Sequence, residues 1–132
     1  MRGAVVYFAC WLPFAACYSL ILYLSGRPIS AMDAALGGLT NSTFAALLGI
    51  PLLLATRRGL RRRWSRLHLT SALSVAVILY AAAWTTLVSL SVIRYAPAES
   101  AAMYMKFGMW WQFVTGLLLG AAVVGACALV HN

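Results

Sequence analysis

Residues 34–93 read AALGGLTNSTFAALLGIPLLLAT (Ala34–Thr56), RRGLRRRWSR (Arg57–Arg66) and LHLTSALSVAVILYAAAWTTLVSLSVI (Leu67–Ile93). Two apolar runs of 23 and 27 residues thus flank ten residues that hold six arginines. A hydrocarbon core of ~30 Å takes about 20 residues of α-helix, so each run is long enough to cross a bilayer. The flanked arginines, Arg57, Arg58, Arg61, Arg62, Arg63 and Arg66, read as a headgroup anchor, each worth about 1 kcal/mol beside anionic lipid. A net charge of +8 could suggest nucleic acid, but most of it sits in this one short loop between apolar runs. No nucleic-acid partner is expected.

Working outward, a run from Ala4 to Ser25 precedes this hairpin and one from about Met103 to Val130 follows it. Four crossings, about 4–25, 34–56, 67–93 and 103–130, use nearly all of the 132 residues, so a single transmembrane domain over 1–132 is expected. Composition agrees, with 64% hydrophobic and 9% charged residues, against about 25% charged in soluble domains. The expected fold is all-α, four transmembrane helices in an up-down bundle. Asp33 is expected to cap the second helix and Pro51 to kink it, while Pro97 breaks the chain before the fourth. The first run could be mistaken for a signal peptide ending at Phe14-Ala15-Ala16-Cys17. It is longer than a signal core of roughly 7–15 residues, and the position three before the cysteine is Phe, so a retained helix is expected.

Orientation follows from the distribution of basic residues in short loops. With the arginine loop inside, both termini are cytoplasmic. Arg2 and the six clustered arginines make seven basic residues inside, against Arg27, Arg94 and Lys106 outside with both acids, Asp33 and Glu99. Tyr95, Tyr104, Trp110 and Trp111 then gather at the outer interface and Trp64 at the inner one. The expected location is a bacterial inner membrane, as a multi-pass protein.

This topology brings polar residues of all four helices to one depth, in the outer half. Tyr18 and Ser19 lie there on the first helix, Thr40, Asn41, Ser42 and Thr43 on the second. Thr85, Thr86, Ser89 and Ser91 follow on the third, Gln112 and Thr115 on the fourth. Asn41 and Gln112 are the most expensive to bury, since a primary amide brings two donors into hydrocarbon. Two readings of Asn41, Thr40, Thr43, Thr86, Ser89, Gln112 and Thr115 stand side by side: interhelical hydrogen bonds, or a polar pocket that holds a ligand or lipid headgroup. A second pattern is small residues at helical spacing, Gly116, Gly120 and Gly125 on the fourth helix and Ala45 and Gly49 on the second. These permit close helix packing, either within the bundle or against another membrane protein.

The remaining chemistry is sparse. Cys10, Cys17 and Cys127 read as small buried hydrophobes, with no metal site around them. His68 and His131 fall near the cytoplasmic ends, too shallow for axial ligands of haem or a magnesium porphyrin. Intramembrane carboxylates and repeated halves, which would suggest a coupled transporter, are absent from the sequence. No cofactor and no enzymatic activity are expected, although a bound lipid or pigment fits the composition.

Several segments carry a family resemblance. They are Leu24-Ser25-Gly26-Arg27-Pro28 after the first helix, the arginine-rich loop, and His68 leading the third helix. Trp111-Gln112-Phe113 opens the fourth helix, which closes as Gly125-Ala126-Cys127-Ala128-Leu129-Val130-His131. Across its whole length the chain resembles the N-terminal four-helix membrane domain of bacterial sensor histidine kinases of the autolysin-regulator type. In that family the last helix continues into a coiled linker and a kinase domain. The 132 residues contain no phosphoacceptor helix or nucleotide-binding glycines, so the resemblance implies the membrane domain and no kinase activity. Two expectations follow. One is an accessory or structural subunit packing against a larger membrane complex of respiratory or photosynthetic type, with the lipid bilayer, other subunits or a second copy as partners. The other is a sensory input module that binds a ligand in the outer polar layer.

Overall fold

The computed structural model describes residues 2–25 and 29–131. Every regular element among them is helical. They are α1 (Arg2–Ala9), α2 (Leu12–Leu24), α3 (Ala31–Arg61), α4 (Arg66–Tyr95), α5 (Ala98–Met103), a π-helical turn (Tyr104–Gly108) and α6 (Met109–His131). Taken as continuous spans, they make four helices long and apolar enough to cross a membrane: Arg2–Leu24, Ala31–Arg61, Arg66–Tyr95 and Ala98–His131. Gly26-Arg27-Pro28, expected to follow the first helix, lies outside the described residues, as does the final residue.

The structure corrects the expected boundaries for identifiable reasons. The first span is broken at Cys10–Trp11, because Pro13 has no N–H to give the Ala9 carbonyl. The chain closes the break with a tighter bond, Trp11 N–H to Phe8 O at 3.1 Å. Asp33 is not the cap of α3. Ser30 is, accepting from the Asp33 N–H at 3.1 Å and donating to its carboxylate at 2.7 Å, a serine cap held in place by the acid three residues on. Around Pro51, α3 runs unbroken, with the proline inside its span. The fourth span opens at Ala98, directly after Pro97, rather than at Met103. It passes through the π turn, where the Met109 N–H reaches back five residues to Tyr104 O.

Contacts divide the chain into two compact units, residues 1–46 and 47–132, the boundary falling inside α3. In the first unit, an aromatic ladder runs along one face of α1 and α2. Tyr7, Trp11, Phe14 and Tyr18 sit in successive ring contacts of 6.2, 6.0 and 5.9 Å between centroids. Their spacing of four, three and four residues keeps them on one helical stripe. Trp11 and Ala15 are buried, as are Ala34, Asn41, Ser42, Ala45 and Ala46 of α3. Cys10 and Cys17 lie beside this stripe and are exposed, so only Cys127 of the second unit is the buried small hydrophobe expected of all three.

The helices approach closely at Gly38. A Cβ built there would fall onto Ser19 Oγ and within 2.8 Å of the Ala15 carbonyl oxygen. Two hydrogen bonds cross between the helices at the same face. Tyr7 donates to the Ala46 carbonyl at 2.6 Å, and Ser42 donates to the Trp11 carbonyl at 3.2 Å.

In the second unit, α4 and α6 pack along a seam of small residues. A Cβ at Gly116 would lie 3.0 Å from Ala81 Cα and 3.1 Å from the Trp84 ring. At Gly120 it would lie 3.0 Å from Val77 and 3.1 Å from Tyr80. This places the G-x-x-x-G pair against one stripe of α4, where Tyr80, Ala81 and Trp84 are buried. Gly125 does not continue the seam, since nothing lies within 4 Å of its Cβ position. Ala45 of the first unit and Gly49 of the second are both buried.

Candidate functional site

Three groups of residues have the arrangement of a site. The first is the polar layer, whose members divide between the units. Thr40, Asn41 and Thr43 fall in the first; Thr86, Ser89, Gln112 and Thr115 fall in the second. Four of its hydroxyls are satisfied locally, because a Ser or Thr in a helix can donate to the carbonyl one turn back. Ser19 bonds Ala15, Thr43 bonds Leu39, Thr86 bonds Ala82 and Ser91 bonds Leu87, all at 2.7–3.0 Å. Thr40, Thr43 and Thr86 are exposed and Thr115 is half-buried. None of these four therefore has the enclosed setting that the sequence pattern suggested. The enclosed residues of the layer are Asn41 and Ser42 in the first unit and Thr85, Ser89 and Gln112 in the second.

Within the second unit, one of these residues reaches the π turn. Ser89 donates to the Tyr104 hydroxyl at 3.4 Å, joining α4 to the start of the fourth span. The Tyr104 ring lies along its own helix over Gly108, where a Cβ would stand 2.7 Å from it. Thr85 differs from its neighbours. Its oxygen is buried and makes no hydrogen bond, a cost of about 1–3 kcal/mol for a group shut away from water. The enclosed groups are hydroxyls and amides. They can donate and accept hydrogen bonds, and they carry no charge with which to move a proton near neutral pH.

The second group is the arginine hairpin. Residues 62–65 join α3 to α4, and Arg63 takes a left-handed conformation with φ 49°, the position glycine usually fills after a helix end. The turn is tightly packed. Trp64 meets the His68 ring edge-on with centroids 4.7 Å apart, and Gly59 leaves room for Trp64 and Leu69. Ser65 caps α4 by accepting from the His68 N–H at 3.3 Å. Arg57, Arg58, Arg61, Arg62, Arg63 and Arg66 are all exposed around this staple. Their charges therefore surround a fixed turn rather than a loose loop. The arginines are legible in the sequence, and the signal of the cap is the serine just before the apolar run.

The third group was not anticipated as a site. Lys106, Phe107, Trp110, Trp111 and Val114 line an open cleft of about 280 Å³. Lys106 Nζ stands 5.4 Å from the centroid of the Phe107 ring, within the range of a cation–π contact. Trp110 and Trp111 are 66% and 73% exposed, unusual for the largest aromatic side chains. Among the described residues, no group of three or more His, Cys, Asp or Glu could hold a metal ion. No protein-family model, curated protein or solved structure matches the chain.

Proposed function

We propose that the chain is a non-catalytic, multi-pass protein of the bacterial inner membrane with both termini cytoplasmic, acting as an accessory subunit of a larger membrane complex. The observation that carries this reading is how little of each span the chain itself covers. The share of each apolar window buried within the chain is 11%, 39%, 33% and 17% from first to last. Leu20, Ile21, Leu24, Leu79, Leu118 and Leu129 are among the large apolar side chains left exposed. Lipid accounts for part of such a surface, and a partner subunit for the rest. The small-residue seam at Gly116 and Gly120 is already occupied by α4, so docking would use the outer faces instead. The arginine hairpin supports the orientation, because a fixed turn ringed by exposed guanidinium groups suits the anionic cytoplasmic leaflet.

Gentle extraction from native membranes, followed by native electrophoresis, tests the subunit reading. Co-migration with a large complex is the expected result, and a free monomer or dimer would sink it. A second reading is favoured by Thr85, whose enclosed oxygen makes no hydrogen bond within the chain and would gain one from a small ligand that opened the packing around it. On that reading the chain is a sensory input module like the kinase membrane domains it resembles, and a ligand-dependent change at Thr85 would accompany the monomer or dimer result.

A further inference from the structure

We propose that the cleft at the start of the fourth span binds one anionic phospholipid, with its phosphate on Lys106 and its glycerol and first acyl carbons against Trp110, Trp111 and Val114. The proposal rests on the membrane reading above and assigns a ligand to a place that reading leaves open.

Helix length sets the depth. Counting back from Val130 to Trp111 covers 19 residue steps, about 28 Å of helical rise, which nearly fills a ~30 Å hydrocarbon core. Trp110 and Trp111 then stand at the boundary where indole rings prefer to lie. Lys106 is five residues farther out, roughly 7 Å along the axis, at the level of the phosphates.

Charge selects the headgroup. Lys106 is the only lysine in the chain, and the residues that share its cleft are Phe107, Trp110, Trp111 and Val114, none of them acidic. Its ammonium is therefore available to an anion. A choline or ethanolamine group would bring a second cation into the cleft with no carboxylate to receive it. The walls are apolar and aromatic, which suits the glycerol and acyl portion of a lipid better than a free phosphate with its full hydration shell.

The test uses the full chain with Trp64→Phe, which removes the tryptophan beside the arginine hairpin, reconstituted in phosphatidylcholine bilayers. A minor fraction of the lipid is dibrominated, either phosphatidylglycerol or phosphatidylcholine, and tryptophan quenching is compared. One lysine near an anionic headgroup leads to an expected preference of about fivefold for the phosphatidylglycerol. Lys106→Gln should bring the ratio to one, and Lys106→Arg should keep it. Equal quenching by the two lipids before any substitution would overturn the proposal, as would a preference that survives Lys106→Gln. Loss of the preference on adding glycerol 3-phosphate would assign the cleft to a free phosphate and overturn the lipid reading. No quenching by either lipid would instead mean that the membrane reading itself had failed.

Discussion

Gly38→Ala is expected to destabilise the first unit by about 2–3 kcal/mol, in the upper part of the range for overpacked positions. The added methyl would collide with Ser19 Oγ and approach the Ala15 carbonyl oxygen to 2.8 Å and the Ser19 nitrogen to 2.9 Å. Two of these three atoms are backbone and cannot swing aside, so the helices must separate. Separation would also lengthen the Ser42–Trp11 and Tyr7–Ala46 hydrogen bonds. The neighbouring Gly37→Ala is the control. Its methyl meets only the Leu22 Cδ1 atom, at 2.9 Å, and the tip of a leucine can turn away. Replacing glycine in a helix interior otherwise gains up to about 1 kcal/mol, so Gly37→Ala should be neutral or mildly stabilising. The midpoint of SDS-induced unfolding, followed by circular dichroism, reads both variants. Opposite behaviour of two adjacent glycines is the signature of packing rather than of helix propensity.

Gly116→Leu should cost about 3 kcal/mol or more by the same overpacking argument. Even a single Cβ there stands 3.0 Å from Ala81 Cα and 3.1 Å from Trp84. A leucine adds three carbons to a seam with no free volume, and Trp84, which is fully buried, has no space into which to retreat. Gly125→Leu on the same helix should leave stability almost unchanged, because that position opens on empty space. Emission of Trp84 should shift to the red in the first variant and stay fixed in the second. Equal effects at both positions would mean that the close approach of α4 and α6 does not hold the second unit together.

These comparisons also show which parts of the molecule were legible in the sequence. Apolar run length set the number of spans, because hydrocarbon thickness leaves little freedom in helix length. The break at Cys10–Trp11 was legible too, in Pro13, but was hidden inside a run that reads as one uninterrupted hydrophobic helix. Small residues recur along the helix at Gly116, Gly120 and Gly125, yet the first two lie against α4 and the third opens on empty space. Period alone states which residues share a face, not how far a neighbour extends along it. The polar layer was visible only as composition. Whether a threonine donates to its own helix or across to another depends on its rotamer and its neighbours. For that reason Thr43 and Thr86, exposed and bonded to their own helices, looked equivalent to Ser89. The Lys106 cleft had no signal as a site, since its aromatic residues fit an interfacial belt equally well.

The orientation of the arginine hairpin can be measured directly with two single cysteines in a chain where Cys10, Cys17 and Cys127 are replaced by alanine. Arg62→Cys lies in the hairpin and Glu99→Cys at the opening of the fourth span, and both native side chains are exposed. A membrane-impermeant maleimide applied to spheroplasts should label the cysteine at position 99 at once and the one at position 62 only after lysis. Labelling of position 62 in intact spheroplasts, with position 99 protected until lysis, would contradict a four-span protein whose arginines face the cytoplasm.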